Sequence, residues 1–365
     1  MMKIEDGRMA TLVVAGILVL ALLYVAHAVF VPLTFSILVI ALVWPLQAML
    51  QRFMPRMLAL LITLIVTILV VVAVASSIAW GMSVLGHWLF LNASRFQTIY
   101  LDWTNWLEEH GIAIAGPLAE QFNVGWLVSM LQGVAGRMNS FAGLTLVIFI
   151  SVLLGLLEVD DFKRRLMLPS VQPQGTLILD ANLTIAAKLR RFMAVRTFAS
   201  VLTGLVVWIF ASFVGLELAA AWGAIAFALN YIPFLGPFIA TAFPTLFAIA
   251  QFDTWQSAIM VFVGLNVIQF IIGSYFEPRL TGASLAISPF AVIFAVFFWS
   301  FMWGLPGAFI GVPILICLIE YGRRVETTRW IAVLLSGDDE NSAAPASFVA
   351  TSSKAAHGAT SDPAP

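Results

Sequence analysis

Residues 230–237 read NYIPFLGP, and residues 304–313 read GLPGAFIGVP. Each is a cluster of Pro and Gly set inside an apolar run of 34 residues, 219–252 and 287–320. At about 1.5 Å per residue an unbroken helix of that length measures roughly 50 Å, against a hydrocarbon core of about 30 Å. Neither run is therefore one ordinary span. Proline withholds a backbone donor and its ring collides with the preceding turn, so both helices are expected to break at these clusters. Pro233, Gly236 and Pro237 should end one half-helix and begin another, and Gly304, Pro306 and Gly307 should do so from the opposite side. Broken helices at membrane depth expose polar backbone that lipid cannot satisfy, and are tolerated where they line a cavity or pack inside protein. Their ends carry partial charge, which can orient a polar solute or an ion without a formal charge in the bilayer.

The surrounding composition supplies the membrane. Of 365 residues, 61% are hydrophobic and only 10% charged, with a mean hydropathy of +1.00. A soluble domain carries about 25% charge, so the chain reads as an all-α integral membrane protein. Net charge is −1, and the placement of Lys and Arg says more than the total. The single cysteine, Cys317, permits no disulfide within one chain and reads as a small core residue.

The first spans are expected at 9–26, 29–50 and 58–80. The triplet Ala26-His27-Ala28 resembles a signal-peptidase site, but the second apolar run follows at once, so an uncleaved first span is expected. Residues 81–140 mix tryptophans with polar residues. They suit either helices lying at a membrane interface or a small folded domain with an aromatic core. A fourth span is expected at 141–157, an amphipathic helix at 177–196 with Lys188, Arg190, Arg191 and Arg196 near its end, and a fifth span at 197–215. The chain thus divides into spans 1–3 (1–80), an extracytoplasmic interfacial segment (81–140), a core region with both broken runs (141–330), and a disordered tail (331–365) rich in Ala, Ser, Pro and Asp.

Lys and Arg concentrate in alternate flanks, which places both termini in the cytoplasm and 81–140 outside. With that parity, 219–252 must begin and end outside, 254–276 must cross inward, and 287–320 must begin and end inside. Each broken run is then a re-entrant hairpin or two short spans. The total is about eight membrane segments, counting each run once. Opposed hairpins of this kind characterise inverted-repeat secondary transporters, whose substrates bind near the midplane.

A carboxylate within the bilayer is costly enough to suggest function by itself. Glu277 precedes Pro278 at an expected helix end, with Arg279 two residues on. It reads either as half of a structural Glu–Arg pair or as a proton or cation site tuned by that arginine. Glu217 and Asp253 bracket the first run as solvated anchors, and Glu320, beside Arg323 and Arg324, reads as a surface ion pair. Asn230, Tyr231, Asn266, Gln269, Ser274 and Ser284 are the polar side chains nearest the breaks. Asn266 and Gln269 share a helical face, from which their amides either bind a hydroxylated ligand or bridge two helices.

Several chemistries find no support. There is no GxxxxGK[ST] loop, no HExxH, and no GxSxG elbow. The histidines His27, His87, His110 and His357 are too scattered for a zinc site. No basic stripe suits nucleic acid. Neither an enzyme, a metal nor a cofactor is expected, and the partners are the lipid bilayer and a small solute or ion.

LNYIPFLGPFIA (229–240), FEPRLTGASLAISP (276–289) and WGLPGAFIGVP (303–313) resemble signatures of the autoinducer-2 exporter family of multi-pass transporters. LLEVDDFKRRLMLP (156–169) looks like the end of that family's fourth helix, and LRRFMAVRTFASVLTG (189–204) like the approach to its fifth. The resemblance covers roughly residues 9–329. It implies a multi-pass inner-membrane transporter, compatible with a homo-oligomer, that exports a small polar solute such as a signalling furanone. Other members resemble sodium (lithium)/proton antiporters. A membrane scaffold built on 81–140 is the reading of another class. Residues 285–288 read LAIS where the family suggests something closer to LGLH.

Overall fold

The computed structural model describes residues 2–92, 98, 105, 109–110, 124–252, 254–281 and 287–337. Residues 93–97, 99–104, 106–108 and 111–123, Asp253, Ser284 and the tail beyond 337 lie outside the described residues. The described chain is helical apart from turns and one isolated antiparallel bridge between Ile287 and Ser336. Among the described residues, six helices are long and apolar enough to cross a membrane, and four shorter apolar ones accompany them. The protein is an all-α, multi-pass membrane protein.

The expected spans appear as α1 (Met2–Val25), α2 (His27–Leu50), α3 (Arg56–Leu91), α4 (Val124–Leu166) and α5 (Gln174–Val214). Helix α3 runs eleven residues past the expected end at Trp80. The amphipathic stretch and the fifth span are one helix, α5, with no break between them. Continuity follows from the sequence, because 174–214 holds no proline and neither of its glycines, Gly175 and Gly204, lies between the two stretches.

A Schellman motif ends α5: Gly215 adopts φ 77°, its N–H reaches Ser212 O, and the Leu216 N–H reaches Ala211 O. The chain then folds back as α6 (Ala219–Leu229) and α7 (Leu235–Gln251), the first hairpin. Gly204 and Gly223 bring α5 and α6 into backbone contact; a Cβ on Gly223 would lie 2.7 Å from Gly204 O. Next comes α8 (Trp255–Phe270), then a π-helical turn, Ile271–Phe276, and α9 (Glu277–Thr281). The second hairpin is α10 (Pro289–Trp303) and α11 (Leu305–Arg324), followed by α12 (Arg329–Leu335).

Both breaks occur where the Pro/Gly clusters place them, but by a different device from loss of a proline donor. Pro237 sits in the first turn of α7, where an N–H has no intrahelical partner to lose. The first tip turns instead at Phe234, whose φ of 61° and ψ of −52° make the rare positive-φ γ-turn, closed by Leu235 N–H to Pro233 O at 2.7 Å. At the second tip the turn is Gly304, with φ 66° and ψ −144°. Each hairpin then closes on a glycine. A Cβ on Gly236 would lie 1.9 Å from Leu229 O, and one on Gly307 would lie 1.8 Å from Trp299 O.

Among the described residues, apolar packing divides into three clusters. One joins hairpin two to α2 and the first half of α5, with Trp299, Trp303, Ile310, Leu189 and Ile232 among its members. A second joins hairpin one to α5 and α8 through Val207, Trp222, Phe247 and Val261. A smaller one holds α2, α3 and α4 together around Leu60, Val152 and Leu156. The outer surface is equally apolar, with Phe213, Phe290 and Phe301 among its most exposed side chains. A surface of this kind suits lipid rather than water.

Candidate functional site

The buried face of α5 carries Arg196, Ser200, Thr203, Val207 and Ala211, a spacing of three and four that sets one stripe along the helix. The stripe is polar at its early end and apolar at its late end. The tip of hairpin one docks against the polar end. Asn230, buried, donates from Nδ2 to Ser200 Oγ at 3.2 Å. The Tyr231 hydroxyl donates to Thr197 Oγ1 at 3.0 Å. Thr197 lies about five turns before Gly215, so the tip reaches roughly 27 Å along α5 from its end.

Directly beside this contact is the ion pair of the site. Arg196 Nη1 donates to both oxygens of Glu277, at 2.9 and 3.0 Å. Arg196 is 7% exposed, among apolar neighbours that include the Phe192 ring. It was expected as a basic flank, and lies buried instead. The expected partner of Glu277, Arg279, turns its guanidinium over the Tyr275 ring, 3.8 Å from the centroid.

Nor does Glu277 stand at a helix end. Pro278 has no N–H for Ser274 O, and the backbone answers by widening: the Glu277 N–H reaches Ile272 O, five residues back. The helix continues to Thr281, with the π turn placing Glu277 opposite α5.

The remaining predicted residues distribute as follows. Pro233 and Gly236 are buried in the first tip, and Pro237 is half-buried. Asn266 is exposed and donates to Phe262 O within its own helix. Gln269 is half-buried, and its Nε2 is enclosed without an acceptor. Gly304, Pro306 and Gly307 belong to the second tip, which meets the end of α1: Trp303 Nε1 donates to Leu23 O at 3.0 Å and Phe301 stacks on Tyr24. The polar contacts of the two tips are separate, while Ile232 of the first tip packs in the apolar cluster that holds Trp303 of the second. The hairpins are also linked through Tyr231, which stacks on Phe309 of α11 at 5.6 Å, and Phe309 stacks in turn on Phe35 of α2.

Half-helix ends contribute less to the first tip than expected. Its amides are spent within the tip, Ile232 N–H on Leu229 O and Gly236 N–H on Ile232 O. Side chains, not dipoles, carry the polar character. Sequence reasoning missed Arg196, Thr197, Ser200 and Thr203. The signal was there in the three-and-four spacing of small polar residues continuing from a basic one into an apolar run.

Two further clusters tie the ends of the bundle. Glu320, expected at the surface, is 4% exposed. Lys188 Nζ reaches its Oε1 at 2.5 Å and Arg324 Nη1 its Oε2 at 3.2 Å, while Arg324 also donates to Thr184. This joins α5 to α11. Near the other end of α5, Trp88 donates from its indole to Glu217, and the Glu217 N–H donates to Gln251 Oε1 at 2.8 Å. Glu217 is thus bonded to α3 and α7 rather than simply solvated.

An apolar-surfaced bundle holding two broken-helix hairpins, one of which lays a polar tip against a buried Arg–Glu pair, is the architecture of a membrane transport protein. The sequence profile described as AI-2E family transporter matches residues 13–324. The chain belongs to this family of transport proteins. It is similar to a Borreliella burgdorferi protein described as a candidate transport protein, 26% identical over 59% of this chain and 60% of that one. It is similar to the AI-2 transport protein TqsA of Escherichia coli K12, 27% identical over 63% of this chain and 66% of that one. It is also similar to YhhT of Escherichia coli K12, another candidate transport protein, 29% identical over 58% of this chain and 59% of that one. The chain thus spans about three fifths to two thirds of the length of these relatives.

Proposed function

We propose that this protein is a secondary transporter of the bacterial inner membrane that exports a small polar organic solute, such as a furanone of the autoinducer-2 type. One observation carries the reading. Asn230 and Tyr231 at a broken-helix tip, Thr197 and Ser200 on α5, and the Arg196–Glu277 pair together form a polar cluster within an apolar-surfaced bundle. Burying such groups costs free energy that a purely structural bundle has no reason to spend. The furanone class is supported by the likeness to TqsA, which is named for AI-2 transport.

A sodium or lithium/proton antiporter is the second reading, favoured by the position of Glu277. Its pairing with Arg196 weakens that reading, because an exchanging carboxylate must be free to take a cation. Purified protein in liposomes separates the two. Labelled furanone should leave or enter protein-containing vesicles faster than protein-free ones, with no coupled signal from a sodium/pH dye pair. Cation-dependent proton movement without furanone flux would establish the antiporter instead.

A further inference from the structure

Arg196 has more donors than its partner uses. Nη1 makes both bonds to Glu277, while Nε–H, enclosed in the protein, meets no acceptor. In a guanidinium the Nε–H and the adjacent Nη2–H point the same way and form a planar two-pronged donor. Glu277 therefore occupies one side of the group and leaves the two-pronged edge to another ligand. Leaving a buried donor of a charged group unmet costs more than leaving a neutral one unmet, so the arrangement calls for an acceptor. A second enclosed polar atom lies on the same face. Thr203, fully buried two turns along α5, has a hydroxyl without a partner, although a helical threonine commonly donates to the carbonyl four residues back. Between them Ser200 is bonded to Asn230 of the hairpin tip.

Charge decides what fits. Arg196 and Glu277 sum to zero, and the Phe192 ring lies beside the guanidinium. An anionic ligand would leave net negative charge in an apolar site, which is costly. A neutral solute with two adjacent oxygens satisfies the two-pronged edge without adding charge.

We propose that Arg196 is the ligand-binding residue of the hairpin-tip site. Its Nε/Nη2 edge takes two neighbouring hydroxyl oxygens of an uncharged solute, and the Glu277 pair excludes anions. The proposal rests on the reading of the tip as the solute site.

The test uses full-length protein in detergent and three probes of one size: cis-tetrahydrofuran-3,4-diol, tetrahydrofuran-3-ol and tetrahydrofuran-3-carboxylate. The diol should bind about tenfold or more tightly than the mono-ol, the usual effect of one hydrogen bond to a charged donor. The carboxylate should not bind. Arg196→Lys keeps the charge opposite Glu277 but has no planar edge, and should bind diol and mono-ol alike. Because that variant can fail to fold, the double variant Arg196→Gln with Glu277→Gln, which leaves no unpaired charge, should keep its melting temperature and lose the preference for the diol. Equal binding of diol and mono-ol by the unaltered protein, preference for the carboxylate, no binding of any probe, or a diol preference that survives in both variants overturns the proposal. Furanone flux in liposomes without any diol preference would sink the role of Arg196 and leave the transporter reading standing. Absence of flux would sink that reading itself.

Discussion

A carboxylate among apolar side chains stays charged only with a cation in contact, and Glu277 draws its cation from α5. Removing one partner of such a pair costs more than removing both. Glu277→Gln should therefore lower the stability of the purified protein by about 3 kcal/mol or more, by stranding Arg196. The double variant Arg196→Gln with Glu277→Gln should recover most of that loss and still fail to transport. Melting in detergent and flux in liposomes measure the two effects separately; a stable, fully active single variant would refute any role for the pair. Glu320 presents the same physics without the same consequence. It is held by Lys188 and Arg324, so Lys188→Met should cost about 1–3 kcal/mol by leaving a buried oxygen unmet.

At the scale of the hairpins, the glycines matter more than the prolines. Gly236→Ala drives a Cβ to 1.9 Å from Leu229 O, which is backbone and cannot swing aside, so the tip must open. Gly307→Ala meets Trp299 O in the same way at the second tip. Both variants should insert and lose transport, with melting lowered. Pro237→Ala should have little effect, because the first turn of a helix has no bond for that nitrogen to make. Phe234 holds φ 61°, a conformation that costs of order 1–3 kcal/mol for a residue with a Cβ. Phe234→Gly should relieve that strain and raise the melting temperature. A lowered one would show that the exposed ring contributes more than the strain costs.

At the scale of the whole molecule, the tip of hairpin one meets hairpin two through the stack of Tyr231 on Phe309 and through Ile232, which packs in hairpin two's apolar cluster. A transporter that alternates access must move one hairpin past the other. Cysteines at both positions, joined by a short bis-maleimide in a variant lacking Cys317, should stop flux. Flux through the same variant without the reagent is the reference, and cross-linking should abolish it. Continued flux in the cross-linked protein would place the moving parts elsewhere. Topology has its own test: a cysteine replacing Asn105 should react with an impermeant maleimide in intact cells, and one replacing Ser347 should react only after lysis.

Composition and run length were enough to determine that this chain is a helical membrane protein broken twice, since an apolar run longer than the bilayer and studded with Pro and Gly has few other solutions. The family followed from the residues of those same breaks. Tertiary structure alone decided who meets whom. Asn230, Tyr231 and Glu277 were legible as polar residues near breaks, but Arg196 looked like the last charge of an amphipathic surface. It is buried where the Glu277 helix meets α5, beside the docked tip of hairpin one. Likewise, nothing local distinguishes Arg279 from Arg196 as a partner for Glu277. The π turn before Pro278 rotates the carboxylate toward α5 and leaves Arg279 over Tyr275. Sequence periodicity reports which face of a helix is apolar; which polar residue is covered depends on crossings between helices distant in the chain, and those no local pattern encodes.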